Sequence, residues 1–337
     1  MRQMRWLLGL FCLLPMAASS QSPAKPGWKQ VCAHATAQPL PAQAPAGPLP
    51  AAELNGCDET ALYYGNPGQP DYGAALQCGW YQRAHPQPSV GNMFYGPGVL
   101  AMLYANGQGV TRDLNLAIRF ACENTWAADA EMEGRIGHLE QMQSSPSAAK
   151  SFDLCDDGTS GLTMGTCASV DARRLDTVRD GKILAVTASL PVAARTAFAT
   201  LQHAEADFED QRAGKEIDLS GTARGMFVLH EEGILRDQFL INLQRFGRSD
   251  IPQATVADLA ALDKSLNATY QAALGTRPTG GSTITPDGVR ETERAWLRLA
   301  EAWQAFARVA YPTLSSTRLR AQLIRLRLHQ LRSLQTP

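Results

Sequence analysis

The sequence predicts an all-α fold, and three observations carry that reading. Leu266, Tyr270 and Leu274 recur every four residues, and Trp296, Leu299, Trp303 and Phe306 follow a 3-4-3 rhythm. Both patterns gather large apolar side chains on one stripe of a helix. Leu103 to Ala117 spells helix, turn, helix: Gly107 and Gly109 allow positive φ where a first helix stops, Asp113 caps a second, and Ala117 is small enough to let the two approach. No run of alternating β-branched residues bounded by turns is available to build a sheet.

The N-terminal segment, residues 1–20, has the three parts of an export signal. Arg2 and Arg5 come first, then an apolar run from Trp6 to Met16, then Ala17, Ala18, Ser19 and Ser20 as a peptidase site. The run is too short to span a bilayer. Cys12 follows Phe11 rather than a small residue, which argues against a lipid anchor, so a free mature chain beginning near Gln21 is expected. Its 29 remaining basic residues against 32 acidic ones give a formal charge of −3, too balanced to imply nucleic acid as a partner. The expected location is periplasmic or secreted.

Removal of the signal leaves six cysteines, an even number in an oxidising compartment, so disulfides are the leading reading. Cys155 and Cys167 close a Gly-rich loop. Cys57 and Cys78 flank a hairpin turning near Gly68, which sets them opposite each other. Cys32 and Cys122 are left to pair by elimination.

Residues 21–52, with prolines at 23, 26, 39, 41, 45, 48 and 50, read as an extended, mostly unpacked linker. A helical repeat module is expected over 53–145. Its central segment, about 93 to 125, closely resembles the Sel-one-like repeat, a relative of tetratricopeptide repeats. An earlier, degenerate copy runs from Cys57 through Tyr63, Tyr64 and Gly65 to Asp71 and Ala75. Two hairpins are fewer than a free-standing solenoid needs, so this module is expected to lean on disulfides and on the C-terminal region.

Residues 150–337 carry a duplication pattern, expected as a helical bundle. Phe198, Leu201, Ala204 and Phe208 align without a gap on Trp296, Leu299, Ala302 and Phe306, an offset of 98 residues. Leu175 with Ile183 matches Leu266 with Leu274, and Leu219 to Thr222 echoes Leu314 to Thr317. Each copy is expected as a long helical hairpin plus a third helix. The second copy, Leu262 to about Tyr311, resembles the LprI-like family of lysozyme inhibitors, small exported helical domains. It departs from that family at Glu293, where a Gln usually precedes Arg-Ala-Trp, and at Gln304 and Ala305, where an Arg and then a Cys usually follow; the family disulfide is therefore missing from this copy.

Catalytic signatures are lacking. No serine sits in a Gly-x-Ser-x-Gly elbow, and neither phosphate-loop nor dinucleotide glycine patterns occur. His230-Glu231-Glu232 begins like a zinc-protease motif and fails at Ile234, and no two histidines stand at helical ligand spacing. Asp156 and Asp157 lack the spaced oxygens of a calcium loop. No catalytic, cofactor or metal residue is assigned.

Two charge features remain. Glu205, Asp207, Glu209 and Asp210 concentrate four carboxylates on one helix, which reads as a solvated helix face or as the contact for a cationic partner, lysozyme being the cationic partner the resemblance implies. Arg318, Arg325 and Arg332 recur at seven-residue intervals as a solvent stripe, while Arg320 and Arg327 share another face and are expected to reach acids or snorkel. The function expected is that of an exported, non-catalytic interaction protein in the envelope, with lysozyme inhibition as the activity the resemblance implies. Two rivals stay open. One is an enzyme on cell-wall or β-lactam substrates, because some cysteine-rich exported Sel-one-like proteins are linked to penicillin binding. The other is an envelope scaffold built on the repeats.

Overall fold

The computed structural model describes residues 27–42, 47–87, 92–124, 126–145, 151–188, 190–275 and 281–335, so the export-signal assignment lies outside the described residues. These residues hold thirteen α-helices and no strand, so the chain is all-α. They form two apolar cores, one on either side of residue 180.

The first core belongs to α1 (Trp28–Ala37), α2 (Ala51–Leu54), α3 (Glu59–Tyr64), α4 (Tyr72–Ala84), α5 (Pro97–Asn106), α6 (Leu114–Glu123) and α7 (Asp129–Ser144). Aspartates start three of these helices. The side chain of Asp58 accepts from the Ala61 amide, Asp71 from Ala74, and Asp113 from Asn115 and Leu116, each satisfying donors that a helix start leaves open. Gly107 stops α5 at φ 67°. A Cβ on Gly109 would lie 2.7 Å from the Tyr72 carbonyl, so the turn admits only glycine at that close approach. Phe94, Leu100, Met102, Phe120 and Phe152 are fully buried beneath these helices.

The three expected disulfides are present: Cys32–Cys122, Cys57–Cys78 and Cys155–Cys167. The first of them corrects the linker expectation for residues 21–52. Part of that segment is helix α1, which packs on α6 and α7 and is fastened by Cys32. The proline-free run from Gly27 to Gln38 is long enough for nearly three turns, and Trp28 and Val31 give it an apolar side to bury.

The second core is built by α8 (Gly161–Thr187), α9 (Val192–Lys215), α10 (Arg224–Gly247), α11 (Val256–Gly275), α12 (Pro286–Ala310) and α13 (Ser316–Ser333). The same pairing occurs in both three-helix runs: α8 packs on α10, α11 packs on α13, and the middle helices α9 and α12 lie against each other. Phe198, Leu201, Phe208, Trp296, Leu299 and Phe306 are all buried there, with the Phe198 and Phe306 rings 5.5 Å apart. Leu219–Thr222 and Leu314–Thr317 fall at the turns before the third helix of each run.

Helix α8 joins the two cores. Its first turns are held to the first module by Cys167, and Thr177 Oγ1 donates to Asn66 Oδ1 at 2.7 Å. The Arg174 guanidinium lies over the Tyr64 ring at 5.6 Å. Further along, Ile183 and Val186 pack against the second core.

Candidate functional site: the groove between the two central helices

Because α9 and α12 bury their aromatic stripes against each other, their outer flanks leave an open groove of about 1130 Å³. From α9 it takes Thr200, His203, Ala204 and Asp207, spaced as one side of a helix. From α12 it takes Arg298, Glu301, Ala302, Ala305 and Arg308. The alanines give a low floor, and charged side chains stand at the rim. Arg298 Nε donates to Asp207 Oδ2 at 3.2 Å across the groove. Tyr311 closes one end, its hydroxyl donating to the Leu243 carbonyl at 3.3 Å, and burial raises its pKa. The gapless alignment of α9 on α12 sets Thr200 against Arg298 and His203 against Glu301, so the sequence does carry a signal for the groove-lining pairs.

The four acids expected to act together are divided by the helix. At 100° per residue, Glu205 and Glu209 fall on one side while Asp207 and Asp210 fall well away from them. Only Asp207 enters the groove. Asp210 is exposed, with the Gln211 side-chain amide donating to it at 3.2 Å. Glu209 turns toward α8 and α10, where Arg236 binds it together with Asp176 at 2.6 Å and Glu232 at 3.4 Å. Burial raises the Glu209 carboxyl even against the Arg236 charge. Burial opposes the Arg236 charge as well, but Glu209, Asp176 and Glu232 hold it above the ordinary arginine value. Glu205 sits one turn away; burial pushes its carboxyl up to about 8, and the Glu209 charge adds to the shift.

Several of the remaining charged candidates have structural partners. Glu231 accepts from Arg212 at 2.7 Å, and Asp157 lies 3.3 Å from His138 Nδ1. Among the described residues no group of three or more His, Cys, Asp or Glu is placed to hold a metal ion. Arg318, expected on a solvent stripe, instead donates to the carbonyls of Ser249, Ile251 and Pro252. Arg320 reaches Asp263 at 3.8 Å, and Arg327 is fully buried against Glu216 and Glu293. In sequence, residues 21–160 carry seven Lys and Arg against 13 Asp and Glu, a formal −6, so the acidic surplus belongs to the first module.

No family model, no curated protein and no solved structure matches the chain. The three intramolecular bridges suit an oxidising, extracytoplasmic environment. No helix among the described residues is long and apolar enough to cross a membrane.

Proposed function

We propose that this chain is an exported, non-catalytic binding protein whose α9–α12 groove receives a surface segment of a protein partner, with a cationic lysozyme as the candidate. The observation that carries the reading is the groove itself. It lies between α12, which falls within the segment resembling the inhibitor family, and α9, its counterpart in the duplication; it has an alanine floor and presents Asp207 and Glu301 beside Arg298 and Arg308. A groove of about 1130 Å³ is large enough for several side chains of a protruding loop. The choice of a cationic partner rests on the inhibitor resemblance and on Asp207 and Glu301 at the rim of the groove.

The test is inhibition of lysozyme by the wild-type protein and by Ala305→Trp, which fills the groove from its floor. The wild type inhibits and the folded variant does not. Equal inhibition by both rejects the groove, and no inhibition by the wild type rejects lysozyme as the partner. Turnover of muropeptides or nitrocefin by the wild type would favour the enzyme reading instead.

A further inference from the structure

Two sides of helix α8 are used within the chain, and its other flanks are exposed. Ala172, Asp176, Arg179, Ile183 and Val186 turn inward toward α10 and the second core. Val170, Arg174 and Thr177 meet the first module. The third side carries Ala168, Asp171, Leu175, Val178, Lys182 and Ala185, a 3-4-3-4-3 seam of the kind that packs helix on helix. Its apolar centre is uncovered: Leu175 is 56% exposed and Val178 55% exposed. Leu266, the residue aligned with Leu175 in the second run, is buried at 7%.

We propose that the occupant of this seam is a second copy of the chain, its α8 laid antiparallel on the first about a twofold axis between Asp176 and Thr177. The argument is complementarity. That axis sets Leu175 opposite Val178 of the other copy, Asp171 opposite Lys182, and Ala168 opposite Ala185. A stripe of this spacing always maps onto itself when reversed, but nothing in the spacing forces an acid to meet a base where Asp171 faces Lys182 of the other copy. Here one does, and the twofold axis repeats that contact at the other end. The small residues beyond them permit close approach, and an interface of this kind is isologous and therefore closed. Among the described residues the ion pair of Asp171 is with the exposed Arg174 at 3.6 Å, a weak surface contact that lets its carboxylate turn outward.

Helix α10 extends the surface. Phe227, His230, Ile234, Asp237 and Ile241 are exposed at 3-4-3-4 spacing, and a groove of about 850 Å³ between α8 and α10 is lined by Leu175, Phe227 and Ile234. The α8 of the second copy seats along this edge, so that four helices enclose apolar side chains that two leave in water.

The experiment is sedimentation equilibrium of the full chain over a range of concentrations. The wild type dimerises. Asp171→Lys and Lys182→Asp, each placing like charges together at both ends, weaken the dimer roughly tenfold or more, as opposed charges at two symmetric contacts require. The double variant Asp171→Lys/Lys182→Asp restores it. Circular dichroism checks folding. Carbodiimide crosslinking of the wild type provides a variant-free readout, joining the Asp171 and Lys182 peptides between labelled and unlabelled copies. Within one helix these residues are about 16 Å apart, out of reach of a zero-length link. A monomer at every concentration overturns the proposal. So does a dimer indifferent to the single reversals, a double variant that fails to recover, or the absence of the intermolecular crosslink.

Discussion

Arg327 on α13 forks onto Glu216 at the end of α9, Nη1 to Oε2 at 2.8 Å and Nη2 to Oε1 at 2.7 Å, with both side chains fully buried. Arg327 Nε also donates to Glu293 at 2.9 Å, and Arg212 donates to Glu216 at 2.8 Å. Burial works against the arginine charge, but the Glu216 hydrogen bond and charge, with Glu293, hold it above its ordinary value. Burial raises Glu293 in spite of Arg327, and the two-pronged contact makes Glu216 the closer partner of the guanidinium. This fork joins the third helix of the second run to the middle helix of the first.

Removing one member of such a buried group leaves the others uncompensated. Arg327→Leu is therefore expected to destabilise the protein by about 3–5 kcal/mol. Arg294→Ala, on the exposed side of α12, should change stability by under about 0.5 kcal/mol. Urea unfolding of both variants measures the contrast.

Glu205 makes stability depend on pH. Its folded-state pKa, about 8, lies above the ordinary 4.5. Between those values the folded state holds a proton that the unfolded chain releases, so the contribution of Glu205 to stability is fully present below 4.5 and is lost as pH rises toward 8. Glu205→Gln removes this slope. Thermal melts should show the variant more stable than wild type at about pH 8.5 and equal to it at about pH 4; parallel curves would contradict the assignment.

The four acids of α9 separate under charge reversal. Glu209→Lys sets a cation beside Arg236 in a largely buried network and should cost several kcal/mol. Asp207→Lys/Asp210→Lys, on the open sides of the helix, should cost about 1 kcal/mol or less. Denaturation midpoints decide between this division and a single acidic face.

The Cys32–Cys122 bridge spans 90 residues, so by loop entropy it contributes about 4–5 kcal/mol to the first module. Cys32→Ser/Cys122→Ser is expected to free α1 from α6 and expose the first module to proteolysis, while residues 190–335 stay resistant. Mapping the first cleavage sites by mass spectrometry tests it.

Much of this architecture is legible locally. Asp113 announces a helix start, the aromatic stripe from Trp296 to Phe306 announces a buried face, and the distances of Cys57 and Cys78 from Gly68 announce a bridge. Helix α1 is hidden by the proline content of 21–52 taken as a whole, although the run from Gly27 to Gln38 has none. The division of the acids is legible too, since the 100° turn per residue by itself separates Asp207 from Glu205 and Glu209. The fork from Arg327 to Glu216 is not: 111 residues separate them, and no local pattern says which acid a buried arginine will meet. For the same reason the groove emerges only from the packing of α9 on α12.

The central claim is that this groove takes up a protein partner, and hydroxyl-radical footprinting with lysozyme tests it most directly. His203 and Tyr311 line the groove, and Trp126, 46% exposed in the first module, serves as the reference. Saturating lysozyme should protect His203 and Tyr311 from oxidation while Trp126 reacts as before. Unchanged reactivity of His203 and Tyr311 in the presence of saturating lysozyme would contradict the account.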